Sequence, residues 1–185
     1  MKLTNEQKET LLRYKEKSGN DDIRFKQIIK EKLLNNEFVV PLLNNKELEE
    51  IEAEVDDYYG VNILPYYMIK PTQTNVQNFI CYDVQFKEVA YRNNIIKTCQ
   101  IIFNVLCEQK NLIEENTYIA RHDLIAAILL DEFNWSNCFG NQIKCVSDVA
   151  SVVDNDYACR TLTFQSETTN NITINNKVIN SDVRR

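Results

Sequence analysis

The chain has 185 residues, 44% hydrophobic and 26% charged, with a formal net charge of −6. That length suits one domain burying roughly two-thirds of its unfolded surface, and the balance of residue types excludes wholesale disorder. An acidic chain without a Lys/Arg stripe is not built for tight sequence-independent binding to phosphates, and no window holds the roughly twenty apolar residues of a membrane-spanning helix.

The polar start MKLTNEQKET lacks the apolar stretch of a secretory signal, so the chain is expected to stay in the cytoplasm of the cell that makes it. Thr4 followed by Gln7 has the form of a capping box, opening a first helix with a modest apolar edge of Leu11, Leu12 and Tyr14. Ser18-Gly19-Asn20 ends it. Asp21 and Asp22 favour the positive end of a second helix, in which Ile23, Phe25, Ile28, Ile29, Lys32 and Leu33 make a clearer amphipathic pattern that must pack on something. Phe38–Leu43 reads as an apolar connector, and Asn44 with Glu47 as the cap of a third helix reaching about Asp57. Residues 1–57 are therefore expected to form an N-terminal helical arm.

A shift towards β-formers follows, opening an α+β core over residues 58–166. Val61, Ile63, Leu64, Tyr66, Tyr67, Met68 and Ile69, with Pro65 and Pro71, suit an edge strand or an extended strap. Asn78–Lys87 alternates, with Ile80, Tyr82, Val84 and Phe86 facing a core. In Ile95–Gln109, Cys99, Ile101, Phe103, Val105 and Cys107 alternate against a second face. Ile102 and Leu106 make that face greasy enough to call for cover by the N-terminal helices or by another subunit.

Thr117–Gly140 is the best helix in the sequence. Ile125, Ile128, Leu129 and Phe133 recur on one side while Arg121, Asp131 and Glu132 lie elsewhere, and Trp135 is expected to wedge the helix end in place. Asn141–Asp148 and Tyr157–Ser166 flank a hairpin turn at Asp154-Asn155-Asp156, with Leu162 and Phe164 inward. The order predicts an antiparallel sheet of about four strands with one helix across it, β-β-α-β-β. Residues 167–185 are a polar extension in which Ile172, Ile174 and Val178 stand out, suited to a small hairpin or to an arm on a neighbouring chain.

Catalytic and ligand-binding patterns are sparse. His122 is the single histidine, so an all-histidine metal site within one subunit is impossible, and a Cys-His couple would have to pair it with a thiol such as Cys107 or Cys138. Glycine occurs only at positions 19, 60 and 140, which excludes GxGxxG and GxxxxGK[ST] phosphate loops. The acidic run Glu47–Asp57 lacks the EF-hand pattern and reads as a solvated face. Six cysteines without CxxC spacing read as reduced core residues. No catalytic residue, metal or cofactor is expected.

The order of elements resembles the tail-terminator and head-to-tail connector proteins of tailed bacteriophages over roughly Asn62 to Ser166. The stretches that carry the likeness are KPTQTNVQNFICYDVQF, IIKTCQIIFNVLCEQ, ARHDLIAAILLDEFNWSNCFG and SVVDNDYACRTLTFQ, and the Asn- and Lys-rich composition is similar to that of crAss-like gut phages. The resemblance implies a virion neck protein that forms a homo-oligomeric ring against portal, neck or tail proteins, with DNA passing through unbound. Ile102, Leu106, Ile172, Ile174 and Val178 are the subunit-interface candidates. A regulatory or inhibitory phage protein acting on a host partner is the alternative, and a cysteine hydrolase using His122 the third reading.

Overall fold

In a computed structural model, residues 3–13, 21–67, 77–90, 93–153 and 156–169 are described. The fold is α+β. Five α-helices, α1 (Asn5–Leu12), α2 (Asp21–Asn35), α3 (Val39–Leu43), α4 (Lys46–Glu50) and α5 (Arg121–Phe133), accompany β1 (Ile63–Leu64), β2 (Phe79–Ala90), β3 (Asn93–Glu108), β4 (Lys144–Val153) and β5 (Tyr157–Thr169). The strand order is β1-β2-β3-β5-β4. The two antiparallel hairpins β2–β3 and β4–β5 join through a long antiparallel β3–β5 seam, in which Ile101 faces Phe164 and Phe103 faces Leu162. Beside the four strands of the two hairpins, part of the segment expected as an edge strand forms β1, a two-residue edge that pairs parallel to β2.

One face of the sheet carries the main core. Ile80, Tyr82 and Val84 from β2, Cys99 through Cys107 at alternate positions on β3, and Leu162 and Phe164 on β5 are buried against Ile125, Ala126, Leu129 and Phe133 of α5. Phe25, Ile29 and Leu33 of α2 and Val39 and Leu43 of α3 belong to the same cluster, so packing runs straight across residue 57. This corrects one expectation for β3: the N-terminal helices do not cover the face that bears Ile102 but share the α5 side. Amphipathicity fixes that α2 must bury Phe25, Ile29 and Leu33; it does not say against which surface.

An aromatic chain runs through this layer. Phe103 stacks on Phe133 at 5.2 Å and meets Phe164 edge-on at 5.7 Å, Phe133 stacks on Phe139 at 6.0 Å, and Phe139 contacts Phe25 at 4.9 Å. Offset and edge-to-face pairs at these distances add to the area they bury. A second tie is polar. Buried Asn45 donates to Asn62 Oδ1 at 2.7 Å, Asn62 donates to the Asn78 carbonyl at 2.8 Å, and Asn78 Oδ1 accepts from the Glu108 backbone at 3.1 Å. These three side chains stitch the α3–α4 connection to β1, β2 and β3, because buried amides must find partners.

Local chemistry decided several boundaries. The Thr4–Gln7 capping box is present. Asn44, however, does not cap the next helix: it sits left-handed at φ 49° as the C-cap of α3, and Asn45 accepts from Leu48 N instead. The connector Phe38–Leu43 is itself largely helical, and α4 stops at Glu50, leaving a 3-10 turn at Val55–Tyr58 where a continuous helix to Asp57 was expected. α5 starts at Arg121 rather than near Thr117, since the Glu114 carboxylate accepts from the backbone of Asn116 and Thr117 and holds them in a turn. Arg121, expected away from the apolar side, is 9% exposed, with its Nε donating to the Asn111 carbonyl.

Trp135 does not wedge the end of α5. It is 60% exposed at φ 62°, and Phe139 and Ile143 fill that position in the core. Left-handed backbone is unfavourable for a bulky side chain. Phe133→Ala is therefore expected to cost about 3–5 kcal/mol, whereas Trp135→Gly should be neutral or stabilise by up to about 1 kcal/mol; urea unfolding of both variants checks the contrast.

Candidate assembly surfaces

Among the described residues, no helix contributes to the cluster on the face of the sheet turned away from α5. That face carries a small satellite cluster in which Leu64, Phe79, Cys81, Leu106 and Cys159 are buried, with Val153 and Tyr157 packed against it. Leu106 is thus 7% exposed within its own chain, covered by neighbouring strands, while Ile102 stays half-buried between Thr163 and Asp83 in the pairing. Ile172, Ile174 and Val178 lie outside the described residues.

β4 is the exposed edge. Among the described residues it pairs on one side only, with β5, and nearly every position along it is exposed. Val146, Val149 and Val152 are 46%, 53% and 66% exposed. Val149 pairs with Thr161 on the open face and Val152 with Ala158 on the helix side, so both faces of the strand present valine. The register slips between Cys145 and Ser147, making Val146 the extra residue of a bulge. Besides its ladder to β5, this strand is held by Asn134 Oδ1, which accepts from the Cys145 backbone at 2.9 Å, and by Arg160. Its Nε and Nη2 grip both oxygens of Asp148 at 2.7 and 2.8 Å, and its Nη1 reaches Asp123 in the first turn of α5. The fork geometry of guanidinium on carboxylate is the strong form of such a pair, and it holds the Asp148 carboxyl below its ordinary range.

At the far end of the molecule's sequence order, α1 buries none of its residues. Leu3, Leu11 and Leu12 are 52%, 52% and 67% exposed. Two further apolar features are presented: Trp135, beside a shallow groove shared with Gln142, Lys144 and Gln165 at the start of β4, and Ile113, Tyr118 and Ile119 on the loop before α5. Trp135 is fixed there by donation from its backbone to the Ile143 carbonyl at 2.7 Å.

The residues weighed for chemistry do not converge. His122 lies in the first turn of α5 with its Nδ1 3.2 Å from Asp123 Oδ1, but that nitrogen is buried without a hydrogen bond. Cys107 is on the helix side of β3, where burial pushes its thiol up to about 12, and Cys99 is raised to about 12 for the same reason. Cys81, Cys99, Cys107 and Cys159 are buried and Cys138 and Cys145 half-buried, consistent with packing as small hydrophobes. The acidic run Glu47–Asp57 is mostly exposed, with Asp56 3.4 Å from Lys30, and no group of three or more potential ligands close enough for a metal ion occurs among the described residues. None of the described helices is long and apolar enough to cross a membrane.

The protein-family pattern YomW matches residues 10–166, from α1 to the paired part of β5. The chain belongs to the YomW family. Membership makes it a phage-associated protein, in agreement with the broad reading of its sequence. No curated protein matches it. In this YomW-family chain the match spans the whole core, including α2 and α3, so the helices ahead of the sheet belong with it.

The Arg160 fork sets an acid limit. Asp148 has a depressed folded pKa, so the pair's stabilisation is fully present above the ordinary aspartate value of 3.8 and is lost as pH falls through the lower folded value. Arg160→Met is expected to cost about 1–3 kcal/mol at neutral pH, and the gap to the unmodified protein should close as pH drops below 3.8, measured as urea midpoints across the acid range.

Proposed function

We propose that this YomW-family subunit is a structural, non-catalytic component of the phage particle, assembling as an oligomeric ring in the neck that joins capsid portal to tail and surrounds the DNA channel. The observation that carries the reading is α1, a helix of eight residues that buries none of them and exposes three leucines at its ends. A helix this short is marginal in water, since isolated helices below about 12–15 residues rarely hold. The described residues of its own chain bury none of it, and a surface of another subunit would supply that packing. Rings built from head-to-tail contacts need two unlike surfaces per subunit, and a projecting helix with the open sheet face meets that requirement. The net charge of −6, multiplied around a ring, repels DNA and suits a channel that must not bind its cargo.

The hydrolase reading loses support from the same geometry: a thiol raised to about 12, as at Cys107, is not a thiolate at neutral pH. The regulatory reading shares the exposed surfaces but predicts a small complex with one host protein.

Native mass spectrometry and electron microscopy of the purified chain test the proposal. Closed high-order oligomers are expected, together with the protein's presence in purified virions. Leu11→Glu combined with Leu12→Glu should abolish the closed rings while leaving the circular dichroism spectrum of the core unchanged. A chain that stays monomeric and is missing from particles overturns the ring.

A further inference from the structure

The edge of β4 is exposed, and beyond its first residues it is lightly guarded against another strand. Edge strands of soluble proteins are guarded by lysines, prolines, bulges, inward charges or brevity. β4 is ten residues long, reads KCVSDVASVV and contains no proline. Between Cys145 and Val153 its one charge is Asp148, already held by Arg160. The sole irregularity is the bulge at Val146, near its beginning. Two copies of a chain with net charge −6 repel, and this stripe, its one carboxylate already balanced by Arg160, adds little to that repulsion.

We propose that β4 pairs antiparallel with β4 of a second copy across a two-fold axis at Val149, merging the two sheets into one. The strand's sequence is self-complementary in this register. Val149 meets Val149 of the other copy, Ser147 faces Ser151, and Asp148 faces Ala150, so no like charges stand opposite each other. A register centred on Asp148 would place two carboxylates face to face. The bulge at Val146 closes the paired region, leaving the stretch from Ser147 to Ser151 as its centre. Contributions come from backbone ladder bonds and from cross-strand valine contacts, both of which the isolated subunit leaves unmade. The pairing is isologous and independent of ring closure, which uses unlike surfaces.

Two variants of the full chain test it. Val149 is 53% exposed, so Val149→Lys should fold normally while placing two ammonium groups on the axis. By sedimentation over a concentration series, its dimer dissociation constant is expected to rise by about 100-fold. Val149→Cys should give a covalent dimer under mild oxidation, against little or none for Val152→Cys or the unmodified chain, because only residue 149 meets itself across the axis. A chain with no dimer in the series, a dimer indifferent to Val149→Lys, or a cross-link stronger at 152 than at 149 overturns the pairing. Failure of ring formation is read separately, since Leu11→Glu with Leu12→Glu should leave the β4 dimer intact.

Discussion

Phe103 occupies the centre of the longest strand, with Phe133 stacked on it from α5 and Phe164 meeting it edge-on from β5. The rest of the architecture depends on this contact. It draws α5 onto the β3–β5 seam, which among the described residues joins two hairpins that could otherwise fold as separate, marginal pairs. Through Phe139 the rings continue to Phe25, so α2 is recruited to the same side. The consequence is a sheet with one face heavily buried and the other left to its own side chains.

That one-sidedness explains where the exposed apolar residues are. With α2, α3 and α5 gathered on one face, the opposite face buries only a satellite around Leu106 and Phe79, and β4 projects beyond the cover α5 gives to β3 and β5. Arg160 answers the resulting mechanical problem. By forking onto Asp148 while reaching Asp123, it ties the projecting strand to the first turn of the helix, where a carboxylate is also favoured by the helix dipole. The edge is thus held rigid without being covered, which is the condition for presenting a strand to another chain at little entropic cost.

The raised thiols have a physical basis in the same layer. Burial outweighs the nearby charges of Lys97 and Arg121 and raises the thiols of Cys99 and Cys107, and His122 Nδ1 stands 3.2 Å from Asp123 Oδ1. Among the described residues the apolar surfaces that stand out are a short helix that buries none of its side chains, a sheet face without a helix in its cluster, and an edge strand paired on one side.

The sequence by itself determined the period of each element: alternation at Ile80, Tyr82 and Val84 and at Cys99 through Cys107, the 3.6-residue stripe of Ile125, Leu129 and Phe133, the Thr4–Gln7 cap, and with them the β-β-α-β-β order of the α+β core. Periodicity is a local property, so it could be read without a partner surface. Tertiary structure alone decided which face α2 would cover, that Leu106 would be buried by Leu64 and Phe79, that Asn45, Asn62 and Asn78 would join the helical connection to the sheet, and that Trp135 would be turned out while Phe139 took its place. It also decided that β4 would be the edge, since strand order is set by which hydrophobic faces meet at long range and no residue of β4 announces its position in the sheet.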